Sequence, residues 1–521
     1  MEYNYRQAMH IRESIEQLRY LPGAPEEISP NEEVISVSSA TGRVAHAYEQ
    51  FRNTLEPDEA DILRRKAIAR ILERRLAEDR PIAVSATALL QELIRAHYIK
   101  AVSTHYVQMV SPLLGQARLV HERLEEDRRA WFLGIMAVAL DRLLFPRAQQ
   151  EGLVHLMYHD SYRRVAWADF SVSEADRPAQ LYIACHRALF AADNFEIIYH
   201  YFLNHFPWWK EGGMSDEQLA QVLRELPGFY ATMKGLIHHP IRDRLLRVMR
   251  PVAVPYRIVW ELMQSHPQAF ADEAALELAA REVVSAQVAR IQKRLNARAW
   301  HSILFLFFTK TLLALLVELP YELLILANPH WLALGVNIAF HPLLLFFLGT
   351  SVRLPGASNT DKIVEQVKKI VSGEGELPTV IVSAPRQYGA VTWSFFAVIY
   401  AALFLAIFWG LFSVLATLQF SLLAMMFFVV FLGLVSFLSV RIRRSVDDIR
   451  LLPKSEGAFS AVFSFLFLPV LEFGRFLTQN ISQLNVILFV MDRVLEAPFK
   501  LLIDIIEEWF AFVRDRREEI V

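Results

Sequence analysis

The chain has 521 residues, more than one hydrophobic core accommodates, so at least two domains are expected. Its residues are 54% hydrophobic, and 54 Lys+Arg against 56 Asp+Glu leave a formal net charge of -2, which argues against electrostatic attachment to nucleic acid. The single cysteine, Cys185, excludes an intramolecular disulfide framework.

Charge is unevenly spread. Residues 301–521 hold only 35 of the 110 charged side chains, and Gln387 to Val440 is a run of 54 residues without one. Such a run leaves no solvated face, so the C-terminal half is read as membrane-inserted. The N-terminal stretch MEYNYRQAMHIRESIEQLRYLPG carries acidic residues and no long apolar core, unlike a secretory signal.

In chain order, 28–42 (ISPNEEVISVSSATG) reads as irregular or a short strand. Helical patterns follow over 56–80, ended or restarted by Pro81, over 88–114, and in a charged segment near 116–130. WFLGIMAVALDRLLF (131–145) is short for a span and interrupted by Asp141, so a buried helix is expected. HLMYHD places His155 and His159 four apart on one helical face, next to Asp160. Glu196 and His200 have the same spacing farther on, near His205. Packed together, these could bind a transition metal, but HExxH is missing and a structural role is the stronger expectation. Adjacent Cys185 and His186 point in different directions on a helix and cannot form a nucleophilic pair by adjacency. HFPWWKEGG offers Trp208 and Trp209 for a membrane surface, a partner groove or ordinary packing. Ser215 and Gln218 have capping-box spacing.

The 272–300 segment runs toward the membrane without a Gly/Ser linker, carrying a weak seam of Val284, Val288, Ile291 and Leu295. SILFLFFTKTLLALLVELPYELL (302–324) is the first apolar arm, with Lys310, Ala314, Glu318, Tyr321 and Glu322 on one broad face. Charges there avoid lipid, so they face protein, water or headgroups, structurally or as an ion or substrate pathway. WLALGVNIAFHPLLLFFLG (331–349) is the second arm, interrupted at His341-Pro342. Within the 353–386 connection, TDKIVEQVKKIV predicts an amphipathic helix with Thr360 as cap and Ile363, Val364, Val367 and Ile370 on its apolar side. PGASNTDKI lacks phosphate-loop spacing. Residues 391–415 and 421–440 form a second hairpin. Segment 457–471, with Pro469, is short for a crossing and reads as re-entrant or interfacial. Residues 484–516 predict a long amphipathic helix, at the interface or against the bundle, with Pro498 a bend.

Basic clusters orient the bundle: Arg290, Lys293, Arg294 and Arg298 precede the first span, and Arg441, Arg443, Arg444, Arg450 and Lys454 follow the fourth. Four crossings keep both clusters, the N-terminal domain and the C-terminus in the cytoplasm. Trp208, Trp209, Trp300, Trp331, Trp393 and Trp509 are the candidate interface or partner contacts, with Trp409 another depth marker.

The expected fold is predominantly all-α, a cytoplasmic helical domain joined to a polytopic helical-hairpin membrane domain. Its divisions are 1–270, a connecting helix 271–300, a first hairpin 301–350, a cytoplasmic connection 351–389, a second hairpin 390–440 and a tail 441–521. No phosphate loop or nucleophile elbow is present, and a non-enzymatic role without a cofactor is expected. The leading reading is membrane organisation or complex assembly, with lipid and a protein partner or second copy as partners and no nucleic acid. Transport or ion conduction is the first alternative, and a membrane-bound metalloprotein using His155, His159, Glu196 and His200 the second.

Overall fold

The computed structural model describes residues 34–35, 60–100, 102–168, 172–325, 330–350, 354–373, 377–383, 389–447, 449–451 and 458–483. The expectations for 1–33, 36–59 and 484–516, Trp509 included, lie outside these residues. The chain is predominantly helical and divides into two compact units, one drawn from 60–165 and 172–249, the other from 166–168 and 250–483.

The first unit contains α1 (Ala60–Ala77), α2 (Ile82–Arg95), α3 (His105–His121), α4 (Glu126–Leu144), α5 (Ala148–Arg164), α6 (Arg177–Phe190), α7 (Asn194–His205) and α8 (Asp216–Ile237). The apolar run at 131–145 forms most of α4 and lies at the centre, against α1, α3 and α7. Its Gly134 lets α7 approach: a Cβ there would lie 2.3 Å from Cε1 of Phe195. Asp141 is fully buried yet paired, accepting from Arg64 Nε at 2.6 Å and facing Arg147 at 3.3 Å. Arg142 and Arg147 also bind Glu196, and Arg65 binds Asp193. Clustered arginines thus balance the carboxylates that a dry helix could not otherwise hold. Ser215 and Gln218 form the expected capping box at the start of α8.

Chain passage to the second unit occurs within α9 (Arg242–Ser265). Asp272 then caps α10 (Glu273–Leu313), accepting from Ala275 N at 3.0 Å. This 41-residue helix carries the extramembrane connection straight into the first apolar arm, with no intervening break. A π turn over Ala314–Glu318 and α11 (Leu319–Leu324) complete the arm. Then follow α12 (Trp331–Thr350), α13 (Ala357–Ser372), α14 (Ala390–Thr417), α15 (Leu422–Asp447) and α16 (Ala458–Gln483). Short strands β1 (Val165–Ala168) and β2 (Val380–Ser383) pair with each other.

Among the described residues, four helices are long and apolar enough to cross a membrane: Glu273–Leu324, Trp331–Gly349, Ala390–Thr417 and Leu422–Val440. The protein is therefore a multi-pass membrane protein. Exposed Phe308, Leu316, Leu324, Phe347 and Trp409 suit contact with acyl chains. His341-Pro342 does not break the second arm, which continues as one helix with Pro342 inside it. Neighbouring helices can stabilise a helix that lacks one ladder bond.

Outside the spans, α13 lies against α10. Its Lys368 Nζ meets Glu273 at 2.9 Å and Glu277 at 3.1 Å, and Arg281 meets Asp361 at 2.6 Å. The apolar side reads as expected, with Ile363, Val364, Val367 and Ile370 buried. Thr360 is not the cap, however; Gly356 holds that position, and Thr360 lies inside the first turn. Asn359 clamps the segment after α15, donating to Ile449 O at 3.0 Å and accepting from Leu451 N at 2.9 Å. The connection between the second and third spans thus touches both the segment preceding the first span and the segment following the fourth.

From Ala458 onward the apolar 457–471 segment belongs to a helix of 26 residues, longer than its apolar run. It packs on α15 where Gly474 meets Gly433; a Cβ on Gly474 would sit 2.0 Å from the Gly433 carbonyl oxygen.

Candidate functional site

Ten residues beyond Trp300, Lys310 stands about 15 Å along the helix, near half the hydrocarbon thickness of about 30 Å. It is fully buried, as are Glu318, Asn337 and His341. The π turn explains the Lys310–Glu318 juxtaposition. In a regular α-helix, residues eight apart diverge by about 80° around the axis; one inserted residue reduces this to about 20°. The Lys310 Nζ lies 3.9 Å from Glu318 Oε1, and 4.5 Å from the Phe431 ring centre on α15. The α12 side chain Asn337 donates through Nδ2 to Glu318 Oε2 at 2.6 Å.

His341, one turn after Asn337, donates through Nε2 to the Phe428 carbonyl at 2.9 Å, tying α12 to α15. Its ring also meets Phe428 edge-on at 4.6 Å. Three polar atoms remain without hydrogen bonds within this enclosure: Lys310 Nζ, Glu318 Oε1 and Asn337 Oδ1. Leaving such groups short of hydrogen bonds in a dry interior is costly, so the enclosure holds unused donor and acceptor capacity around the Lys310–Glu318 pair.

Glu322 belongs to the same helical face but is otherwise engaged. It is buried and accepts the His330 N–H at 3.3 Å, just before α12 begins. Tyr321 is half-buried at the same end. The sequence marks Lys310 and Glu318, whereas it gives only an indirect sign of Asn337 and His341: two polar residues four apart in an otherwise apolar arm. Phe431 carries no sequence signal at all, being one phenylalanine among 36.

The histidines of the first unit form a different kind of cluster. The His155 and His200 rings lie 5.7 Å apart, and His186 joins them at 6.0 Å from His200. Asn204 Nδ2 donates to His200 Nε2 at 3.1 Å, which leaves His200 Nδ1–H to donate to the Tyr182 oxygen at 3.3 Å. The Tyr182 hydroxyl then donates to His186 Nε2 at 3.1 Å. Burial lowers the pKa of His155 and His186, and that of His200 to about 3, so this chain is neutral. Glu196 is held by Arg142 at 2.5 Å rather than by these rings, and His159 packs beside Tyr158. Among the described residues, no group of three His, Cys, Asp or Glu has metal-binding geometry. Cys185 is buried, which raises its thiol pKa and keeps it protonated.

Trp209 lies inside the core of the first unit beside Phe132 and Phe202, and Trp208 packs against that core. Trp300, Trp331 and Trp393 are exposed near the starts of three spans. Arg294 is exposed, and the positions of Arg441, Arg443 and Arg444 fall in the last turns of α15. Arg298 lies in α10, beyond the seam.

Comparison with protein-family models, curated proteins and solved structures returned no match. Any functional reading therefore rests on the polar cluster and the spans themselves.

Proposed function

We propose that the membrane bundle is a transport or ion-conducting device, with Lys310 and Glu318 as its charge-handling pair and Asn337 and His341 as its positioning residues. The observation behind this reading is the depth of the charges. They are enclosed between α10, α12 and α15 rather than solvated at the ends of a span. The π turn beside them supplies a second argument, because such turns are frequent at functional sites. Purified protein in liposomes, loaded with pH-, Na⁺- or K⁺-sensitive dyes, is expected to carry flux that Lys310→Met and Glu318→Gln abolish while both variants still assemble. Wild-type liposomes indistinguishable from protein-free ones for every ion would refute it.

A second reading, membrane organisation or complex assembly, draws on α14. Among the described residues none of its most apolar stretch is fully buried, although Phe408, Leu411, Phe412 and Leu415 pack on the bundle, so much of the helix is left to lipid or another polypeptide. Under this reading the helical first unit is the cytoplasmic platform of the assembly. Cross-linking from cysteines placed along α14, in a Cys185→Ser background, separates lipid exposure from a helix partner. Cross-linked dimers or captured partners at helical periodicity favour assembly; uniform accessibility to lipid-phase reagents opposes it.

A further inference from the structure

We infer that the species handled at the Lys310–Glu318 site is the proton, passed between the two side chains through a water held by Asn337. The inference rests on the transport reading and narrows it to one ion.

The chemistry of the enclosure excludes the other ions. An alkali or alkaline-earth cation needs about six oxygens or more. Among the described residues the site offers two side-chain oxygens without hydrogen bonds, Glu318 Oε1 and Asn337 Oδ1, with the Lys310 ammonium 3.9 Å from the first. That ammonium repels a metal cation from the place where it would have to bind. An anion would meet Lys310 but also the Glu318 carboxylate, which already takes one of the two Asn337 amide N–H donors. Water fits both requirements. It accepts from Lys310 Nζ and donates to Glu318 Oε1 or Asn337 Oδ1, so one molecule can serve all three orphaned atoms in turn.

Such a bridge permits a balanced transfer. An N–H bond of the Lys310 ammonium breaks as its proton joins the water; an O–H bond of that water breaks as its proton joins Glu318. The products are a neutral amine, a water and a carboxylic acid, with no change in net charge. Loss of the acid proton on one side and recovery of an amine proton from the other complete the passage of one proton. The two groups lie eight residues apart along the axis of the span, an arrangement that gives the transfer a direction.

Other titratable groups facing the pair are few. On its own arm, Glu322 lies beyond Glu318 with Oε2 accepting from His330 N. From α12 comes His341, bonded to Phe428 O. From α15 the Phe431 ring and the Phe428 carbonyl face the cluster, and residues 422–440 contain no titratable side chain.

Infrared spectroscopy of the full chain in nanodiscs tests the assignment. Expected is a protonated-carboxyl band that titrates with pH, shifts within seconds in D₂O, and is identical in NaCl, KCl and choline chloride. Glu318→Gln should abolish it. Glu318→Asp should keep a titrating band at an altered frequency, so the test survives if the glutamine variant fails to assemble. A band whose titration moves with Na⁺ or K⁺, or a cluster that ignores D₂O for hours, overturns the proton assignment. Flux measured in parallel keeps the two claims apart. Sodium or potassium flux with an unresponsive Glu318 defeats the proton and preserves transport. An exchanging Glu318 with no flux of any ion defeats transport and leaves a protonatable centre.

Discussion

Among the described residues, Lys310 and Glu318 are each other's only oppositely charged partner within 4 Å. Removing one partner leaves an uncompensated buried charge, a loss on the order of 3–5 kcal/mol, whereas neutralising both leaves no buried charge to compensate. Lys310→Met and Glu318→Gln are therefore each expected to lower the thermal stability of detergent-held protein, and the double variant to recover most of the loss. Additive losses in unfolding scans would show that the pair is not coupled. The histidines of the first unit act in the opposite way, through the charge they do not carry. Folding keeps His155, His186 and His200 neutral, while the unfolded chain takes up protons below the ordinary histidine value of 6.5. Their folded pKa values are depressed, so this contribution is intact above pH 6.5 and is lost as pH falls toward about 3, where His200 titrates. Each extra proton bound by the unfolded state costs about 1.4 kcal/mol per pH unit. Hydrogen exchange in α5 and α6, corrected for intrinsic rates, should accelerate between pH 6.5 and 4.5 in the intact protein, less steeply in His186→Gln. Equal slopes would remove His186 from the account. The sequence displayed the charged residues of the span because an apolar background makes charge conspicuous. It did not display the partnership of Glu318 with Asn337, 19 residues away, or that of Tyr182 with His200, 18 residues away, because partners across helices leave no local periodicity.

At the level of elements, the apolar arms were legible for the same reason: long runs without charge have few alternatives to a helix in lipid. The π turn was not, since nothing in ALLVE distinguishes an inserted residue from a regular turn. Deleting exposed Leu316 should convert the turn to α-helix and leave Lys310 and Glu318 seven residues apart, still aligned within about 20°. Normal assembly of that variant is the expected result, and loss of the folded bundle on size exclusion would show that the π turn is indispensable. The full length of α16 was hidden too. Its apolar run fades near Glu472, but Glu472 and Arg475 pair across one turn at 3.7 Å and the helix continues to Gln483. Its packing on α15 depends on two glycines whose close approach is invisible until both helices are placed. Gly474→Ala puts a methyl group onto the Gly433 carbonyl, and overpacking of this kind costs roughly 1–3 kcal/mol. A lower unfolding temperature is expected, whereas Gly410→Ala, where a Cβ meets open space, should leave it unchanged. Indistinguishable stability of the Gly474 variant would mean that α16 can shift without cost.

Across the whole membrane unit, one arrangement of contacts constrains topology independently of the basic residues. The base of α10 binds α13 through Lys368 and Arg281, and α13 binds the segment after α15 through Asn359. Three stretches separated by pairs of spans are thereby held on one membrane face, which requires an even number of crossings between them; the four apolar helices supply it. On the positive-inside rule that face is expected to be the cytoplasmic one, because Arg290, Lys293 and Arg294 precede the first span and Arg441, Arg443 and Arg444 follow the fourth. The tight turn between the third and fourth spans should consequently lie on the far side. Gln419 occupies it in a left-handed conformation with φ 61°, exposed, while the Phe420 N–H closes the turn onto Leu415 O at 3.1 Å. Gln419→Cys and Ile381→Cys, each in a Cys185→Ser background, provide one probe on either face. An impermeant thiol reagent should label the cysteine at 419 in intact cells and the one at 381, exposed on β2, only after the membrane is opened. Labelling of 381 from outside would invert the assignment, and labelling of both would break the even-crossing topology altogether, because the Asn359 and Lys368 contacts cannot form across a bilayer.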